Sequence, residues 1–143
     1  MANLTGPSPR TYEVNADPNE LDYPQGSEQT WEGSALTDAG SPGSGTNVAH
    51  TLIAGENFLG FANTSQNNAS GTAFSTINVK GKGCAKLTVT GVTAASIGAS
   101  VYASDGNTFT LTSTSNTRIG TVKQIISGTL CLVQFAGVGF KVG

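Results

Sequence analysis

Apolar and polar residues alternate with a period of two in several short windows of this chain, and the windows end at glycines or polar clusters. Thr76-Ile77-Asn78-Val79-Lys80 alternates, and residues 84–90 alternate again, with Ala85, Leu87 and Val89 on one face. Successive side chains on a strand point to opposite faces, so both windows read as half-buried strands. Residues 101–111 read as a hairpin. Asp105-Gly106 tolerates the positive φ angles of a tight turn, and Phe109 and Leu111 share a face. A second hairpin joins residues 118–126 to 129–136 across Ser127-Gly128. Its Ile119, Ile125, Ile126, Leu130, Leu132, Val133 and Phe135 form the most apolar stretch, which places the core there. Phe58-Leu59-Gly60-Phe61-Ala62 is a further apolar run, and Lys80-Gly81-Lys82-Gly83 reads as a turn between strands. Sustained i, i+3, i+4, i+7 spacing is missing, and residues 93–97 offer at most one helical turn. The expected fold is all-β, a small barrel or sandwich of about seven to eight short strands, closed because closure removes exposed edges.

Proline changes this picture at one end. All five prolines, Pro7, Pro9, Pro18, Pro24 and Pro42, fall in the first 42 residues. Proline lacks the backbone donor that a central strand needs. Residues 1–35 are therefore expected to be an extended arm, and residues 36–143 a β-rich body. Residues 41–46, Ser-Pro-Gly-Ser-Gly-Thr, read as a surface loop. Charge divides the chain at nearly the same place. Residues 1–38 carry Glu13, Asp17, Glu20, Asp22, Glu28, Glu32 and Asp38 against Arg10, a net of −6. Residues 57–143 carry Lys80, Lys82, Lys86, Arg118, Lys123 and Lys141 against Asp105, a net of +5. An acidic arm and a basic body suggest docking on the same body or on a neighbour's, with a solvated tail as the alternative. Tyr12, Val14, Leu21, Tyr23 and Trp31 space apolar anchors along the arm beside Pro24, as in extended segments that lie in grooves.

Composition narrows the chemistry. Only 11% of the 143 residues are charged, against about a quarter in ordinary soluble domains. His50 is the sole histidine, with no nucleophile elbow beside it. The proline-free part of the body, after Pro42, offers Glu56 and Asp105 as carboxylates, and Asp105 is explained by its turn. One histidine and two distant cysteines do not make a structural zinc site, and residues 17–22 lack the spacing and turn glycine of a calcium loop. Cys84 and Cys131 read as buried thiols acting as small hydrophobes, with a disulfide as the runner-up. Strand parity disfavours the bridge, since Cys131 alternates with Val133 and Phe135 whereas Cys84 alternates with Lys86 and Thr88. The acidic balance and the lack of a basic-aromatic signature give no support to nucleic-acid binding. No run of about 18 apolar residues or basic-then-apolar leader is present, so a cytoplasmic site of synthesis is expected. No enzymatic activity and no cofactor are expected.

The ordered motifs carry a resemblance. Val101-Tyr102-Ala103-Ser104-Asp105 with Thr108-Phe109-Thr110-Leu111-Thr112, then Arg118-Ile119-Gly120-Thr121-Val122 and a last strand at residues 130–135, resembles the small capsid decoration, or cement, proteins of tailed bacteriophages. The segments around Tyr12-Glu13-Val14-Asn15, Leu21-Asp22-Tyr23-Pro24 and Trp31-Glu32-Gly33-Ser34-Ala35-Leu36, and the Phe58–Ala62 run, are similar to that family in the same order. Cys84, Cys131 and the 41–46 loop depart from its pattern. The resemblance implies a β-rich homotrimer on the outer face of the mature head, a virion location after assembly in the host cytoplasm, and no catalysis. Its expected partners are the major capsid protein, other copies of itself and adjacent decoration subunits, with neither membrane nor nucleic acid among them. Tyr12, Val14, Leu21, Tyr23, Pro24 and Trp31 are the expected capsid- or neighbour-binding anchors. Ile119, Ile125, Leu132 and Phe135 are the expected trimer and core residues. A virion-displayed receptor- or carbohydrate-binding module is the alternative, and a cell-wall hydrolase is a distant third.

Overall fold

The computed structural model describes residues 2–10, 19–39, 46–71 and 75–140. Within them the regular secondary structure is almost wholly strand, as the alternation requires. The strands are β1 Glu20–Pro24, β2 Gln29–Thr30, β3 Ala35–Thr37, β4 His50–Thr51, β5 Phe58–Ala62, β6 Gln66–Asn67, β7 Thr76–Lys80, β8 Lys82–Thr90, β9 Ser100–Asp105, β10 Thr108–Thr110, β11 Thr117–Ser127 and β12 Leu130–Ala136. The last five form a closed barrel in the order β10-β8-β12-β11-β9. Ala85, Leu87 and Val89 of β8 face its interior with Cys131, Val133 and Phe135 of β12, as their parity predicts. Two register shifts in β11, after Val122 and after Ile125, bend the hairpin it makes with β12. Ile126, expected in the core, is instead 41% exposed, and Leu130 lies on the outer face.

The first seven strands supply a second sheet, β1-β7-β5-β3-β4, and the small β2–β6 ladder. The second sheet curls until its two edges meet at a single parallel bridge, Gln25 with Ala49. Ala49 N–H donates to Pro24 O at 2.7 Å, and Gly26 N–H donates to Ala49 O at 2.9 Å. Tyr23, Leu36, Ala49, Leu59, Ala62, Ile77 and Val79 fill this curl. β5 is the wall between the two cores. Phe58 and Phe61 point into the barrel cluster, whereas Leu59 and Ala62 point into the other. All five β5 residues are buried, which explains a continuous apolar run where a half-exposed strand would alternate.

Several expectations are corrected. Residues 20–35 are not a free arm: β1 pairs along its length with β7, and β3 sits between β5 and β4. Pro24 is tolerated because it ends a strand at the sheet's edge. Gly81 is not a hairpin turn. The chain runs through it from β7 in one sheet to β8 in the other, and Gly137 N–H donates to Gly81 O at 2.6 Å. The ring of Phe140 lies where a Cβ on Gly81 would stand. Gly106 does not use a positive φ. It is needed because a Cβ there would meet Ser34 Oγ at 2.6 Å, while Asp105 Oδ1 turns the chain by accepting the Asn107 N–H at 2.9 Å. Residues 93–97 form a turn closed by Ser96 Oγ accepting the Thr93 N–H at 2.8 Å, not a helix.

The first described residues also dock on the body. Ser8 N–H donates to Glu32 O at 2.9 Å, and Asn3 Oδ1 accepts the Gly106 N–H at 2.8 Å. Arg10 Nε donates to Gly33 O at 2.6 Å and a terminal nitrogen donates to Asn107 Oδ1 at 2.6 Å. Its guanidinium carbon stands 5.2 Å from the Phe109 ring centre and 5.7 Å from that of Phe61. Arg10, the one charged residue among residues 2–10, thus adds ring-face and carbonyl contacts to the bonds made by Asn3 and Ser8. Replacing Arg10 with alanine should lower stability by about 1–2 kcal/mol, since charge-assisted hydrogen bonds and ring contacts are lost together. Urea unfolding at neutral pH measures it, and an unchanged midpoint would show that residues 2–10 rest on the body without holding it.

Candidate functional site

His50 opens β4, with its Nδ1 3.9 Å from Glu28 Oε1. The same carboxylate oxygen accepts the Thr51 N–H at 2.6 Å, so Glu28 fixes the short strand. A cleft of about 400 Å³ opens here, lined by Gln25, Gly26, Val48, His50 and Asn68 among others. Its buried amides are already engaged. Gln25 Nε2 donates to Gln66 O at 2.7 Å and Thr30 Oγ1 at 3.0 Å, and Gln25 Oε1 accepts from Ser75 Oγ at 2.8 Å. Asn68 Nδ2 donates to Gln25 O and Gly26 O, both at 3.2 Å. These amides tie the β1–β2 connection to β6 and present no convergent group to a reacting molecule. Among the described residues, no group of three or more His, Cys, Asp or Glu is placed to hold a metal ion. Neither cysteine forms a disulfide: Cys131 is buried inside the barrel, and Cys84 is half-buried opposite Gln134.

The expected anchors separate by burial. Tyr23 is a core residue, 8% exposed, and is unavailable to a partner. Its position follows from β1 parity, which turns Tyr23 inward opposite Ile77. Leu21 is 46% exposed, Pro24 is exposed and Trp31 is half-buried. Tyr12 and Val14 lie outside the described residues. Ile119 and Phe135 are buried in the barrel, so their expected role narrows to the core. Ile125 packs against that core from its rim, and Leu132 is half-buried on the outer face.

Burial pushes the Tyr23 hydroxyl above the ordinary tyrosine range, and the nearby Asp38 carboxylate adds to the shift. The folded state then holds the proton more tightly than the unfolded chain does. This contribution to stability is complete below the ordinary value of about 10 and is lost as pH rises through the folded value. The urea midpoint should therefore fall above about pH 10, and Tyr23→Phe should flatten that fall. Equal alkaline slopes for the two proteins would contradict the assignment. Burial raises the Cys131 thiol in the same sense, but both proteins keep it.

Two exposed surfaces remain, and they differ in charge. Residues 19–81 carry Glu20, Asp22, Glu28, Glu32, Asp38 and Glu56 against Lys80, a net of −5. Residues 82–136 carry Lys82, Lys86, Arg118 and Lys123 against Asp105, a net of +3. At the acidic end, Glu20, Leu21 and Asp22 are exposed together on β1. Asn63 Nδ2 donates to Glu20 Oε1 and Asn78 Nδ2 to Asp22 Oδ1, each at 2.8 Å, which fixes both carboxylates. At the basic end the register builds a band across the outside of the barrel. Leu132 of β12 lies between Lys86 of β8 and Gln124 of β11, and Leu130 lies between Thr88 and Ser127. Gly98 N–H donates to Val122 O, and Val122 N–H to Ala99 O, both at 2.9 Å. These bonds extend the β9–β11 pairing and leave Ile97, 62% exposed, at its end. Ile97 and Ile126 escaped the sequence reading as surface groups, because bulges and a loop, not alternation, expose them. Comparison with family models, curated proteins and solved structures finds no match to this chain.

Proposed function

We propose that this protein is a capsid decoration protein that binds the outer surface of a mature phage head and bridges its major capsid subunits. The observation that carries the reading is the pair of chemically distinct exposed surfaces on one two-core body. A bridge needs two separate contact faces held at a fixed distance, whereas a catalyst or a small-ligand module needs one concave site. The shared wall of β5 supplies the fixed distance. The ordered resemblance over residues 12–135 supports the same reading. Leu21, Pro24 and Trp31, with Tyr12 and Val14, are the shell anchors in this proposal, and copies join as a homotrimer through the barrel side. Several weak clamps acting together then raise the avidity for the shell. The glycan-module alternative draws no support from the body, where no Phe, Tyr or Trp among the described residues is exposed.

The test is co-sedimentation of the purified protein with mature capsids and with unexpanded procapsids. Binding to the mature form alone is expected, together with slower release of packaged DNA on heating. Tyr12→Ala/Trp31→Ala should weaken binding about tenfold or more, as loss of desolvated aromatic anchors does. Deleting residues 2–30 would not be a clean test, because it removes β1 and β2 from the fold. Equal binding to both capsid forms, or to neither, would sink the proposal.

A further inference from the structure

Asp105-Gly106 is the one Asp-Gly pair in the chain, and the sequence contains no Asn-Gly. In such a pair the second residue has no Cβ to crowd its nitrogen, which can close a five-membered ring on the preceding side-chain carboxyl carbon. In the folded protein both reacting groups are engaged elsewhere. The Gly106 N–H donates to Asn3 Oδ1 at 2.8 Å, and the Gly106 carbonyl accepts the Ala35 N–H at 2.9 Å. Asp105 Oδ1 accepts the Asn107 N–H at 2.9 Å, and Oδ2 accepts the Thr108 hydroxyl at 3.1 Å. Asn107 is tied in turn to Arg10. The turn is thus pinned from two sides. Ala35, Ser34 and Thr51 enclose Gly106 from the body, and Asn3 and Arg10 hold it from the N-terminal segment. The second pin is the weaker one, since Asn3 is exposed and Arg10 half-buried, and peripheral segments open at the lowest cost.

We infer that Asp105-Gly106 is a site of spontaneous aspartate isomerisation that the docked residues 2–10 hold closed. When the segment lifts, the Gly106 nitrogen bonds to Asp105 Cγ. The N–H proton, one carboxylate oxygen and a proton from solvent leave as water, giving a succinimide. Water then opens the ring at either carbonyl. One opening restores aspartate, and the other carries the main chain through the former side-chain methylene as isoaspartate. The product lacks the Asp105 Oδ1 that turns the chain onto Asn107, so Arg10 loses the placement of its partner. Each isomerisation therefore loosens the segment that prevented it, and the modified form accumulates with age. The chemistry needs no capsid and no second copy, so its failure leaves the decoration reading untouched.

Ageing the purified full-length protein in warm neutral buffer tests this. Trypsin releases residues 87–118 as one peptide, in which Asp105 is the only acidic side chain. Its isoaspartate form has unchanged mass and separates by chromatography, and the succinimide is lighter by one water. Deamidation of Asn107 or Asn116 alters the mass and is told apart. Methyl transfer by an isoaspartyl carboxyl methyltransferase counts the product independently, and the free 87–118 peptide sets the unprotected rate.

The wild type should isomerise far more slowly than the free peptide. Asn3→Ala/Arg10→Ala should raise its rate about 5- to 30-fold, the rise in open population expected when docking bonds of this kind are lost. Asn3→Asp keeps an oxygen acceptor for the Gly106 N–H and should stay at the wild-type rate. Ile77→Val, in the other core, lowers global stability without touching the turn and should stay there too. Far-ultraviolet circular dichroism checks that each variant is folded. If the double variant does not fold, Asn3→Ala alone replaces it. Equal rates for wild type and the docking variant overturn the inference, because the body alone would then pin the turn. A wild type as fast as the free peptide overturns it, and so does Ile77→Val matching the docking variant, which would assign the reaction to global unfolding.

Discussion

Phe61→Ala should lower the stability of the folded protein by about 3–5 kcal/mol, the range for truncating a buried phenylalanine. Phe61 has no solvent exposure. Its ring meets Phe135 at 4.9 Å, Phe58 at 5.6 Å and Phe109 at 6.0 Å between centroids, all near edge-to-face. It also forms part of the surface under Arg10. The cavity left by alanine would be walled by rings and by backbone of β5, which cannot close in without moving both sheets. A domain of this size has only about 5–15 kcal/mol in total, so a large part of the margin would go. Urea unfolding by tryptophan fluorescence, with Trp31 as the only reporter, measures the loss. A loss under about 1 kcal/mol would mean that the aromatic cluster is not the centre of the fold.

Gly60→Ala should be nearly as damaging, for a different reason. Gly60 has φ +139°, in the region that side chains rarely adopt, and a Cβ there would stand 2.3 Å from the Lys80 carbonyl oxygen. The backbone strain alone costs about 1–3 kcal/mol. The clash adds to it by forcing β5 away from β7, whose pairing joins Phe61 to Lys80 and Ala62 to Val79. Gly91→Ala separates the two effects. Gly91 also has a positive φ, +89°, but nothing lies within 4 Å of its Cβ position. Thermal unfolding should place Gly91→Ala moderately below wild type, by the strain alone, and Gly60→Ala well below Gly91→Ala, or abolish soluble Gly60→Ala altogether. Matching melting points for the two would show that the close approach at Gly60 is not a constraint.

The barrel half was readable in the sequence, and the other half was not. β8 and the β9–β10 and β11–β12 hairpins each bury one face, so their residues alternate and the alternation names the inward side. β5 buries both faces, which erases the period and leaves a run that any buried segment could produce. β1 does alternate, with Leu21 and Tyr23 between Glu20, Asp22 and Pro24, but prolines at 18 and 24 point to an arm and mask it. β2, β4 and β6 are two-residue polar strands, too short for any period to register. Gly81 has the composition of a turn, and only long-range pairing tells a turn from a passage between sheets. At the candidate surfaces, the split of charge along the chain was visible. Composition sums charge but does not locate it, so the acidic segment's neighbour and the cationic anchor at Arg10 required three-dimensional placement.

The docking of residues 2–10 has a consequence for synthesis. Asn3 and Arg10 leave the ribosome early, yet their partners Gly106, Asn107 and Phe109 lie about a hundred residues later. At about 5–20 residues per second, that interval is roughly 5–20 s. During it, the aromatic floor beneath Arg10 is incomplete, and β1 and β3 await β7 and β5. The bond from Arg10 to Asn107 therefore cannot form before residue 107 has been made, and a spectroscopic probe placed beside residue 10 would mark when that part of a newly made chain has docked.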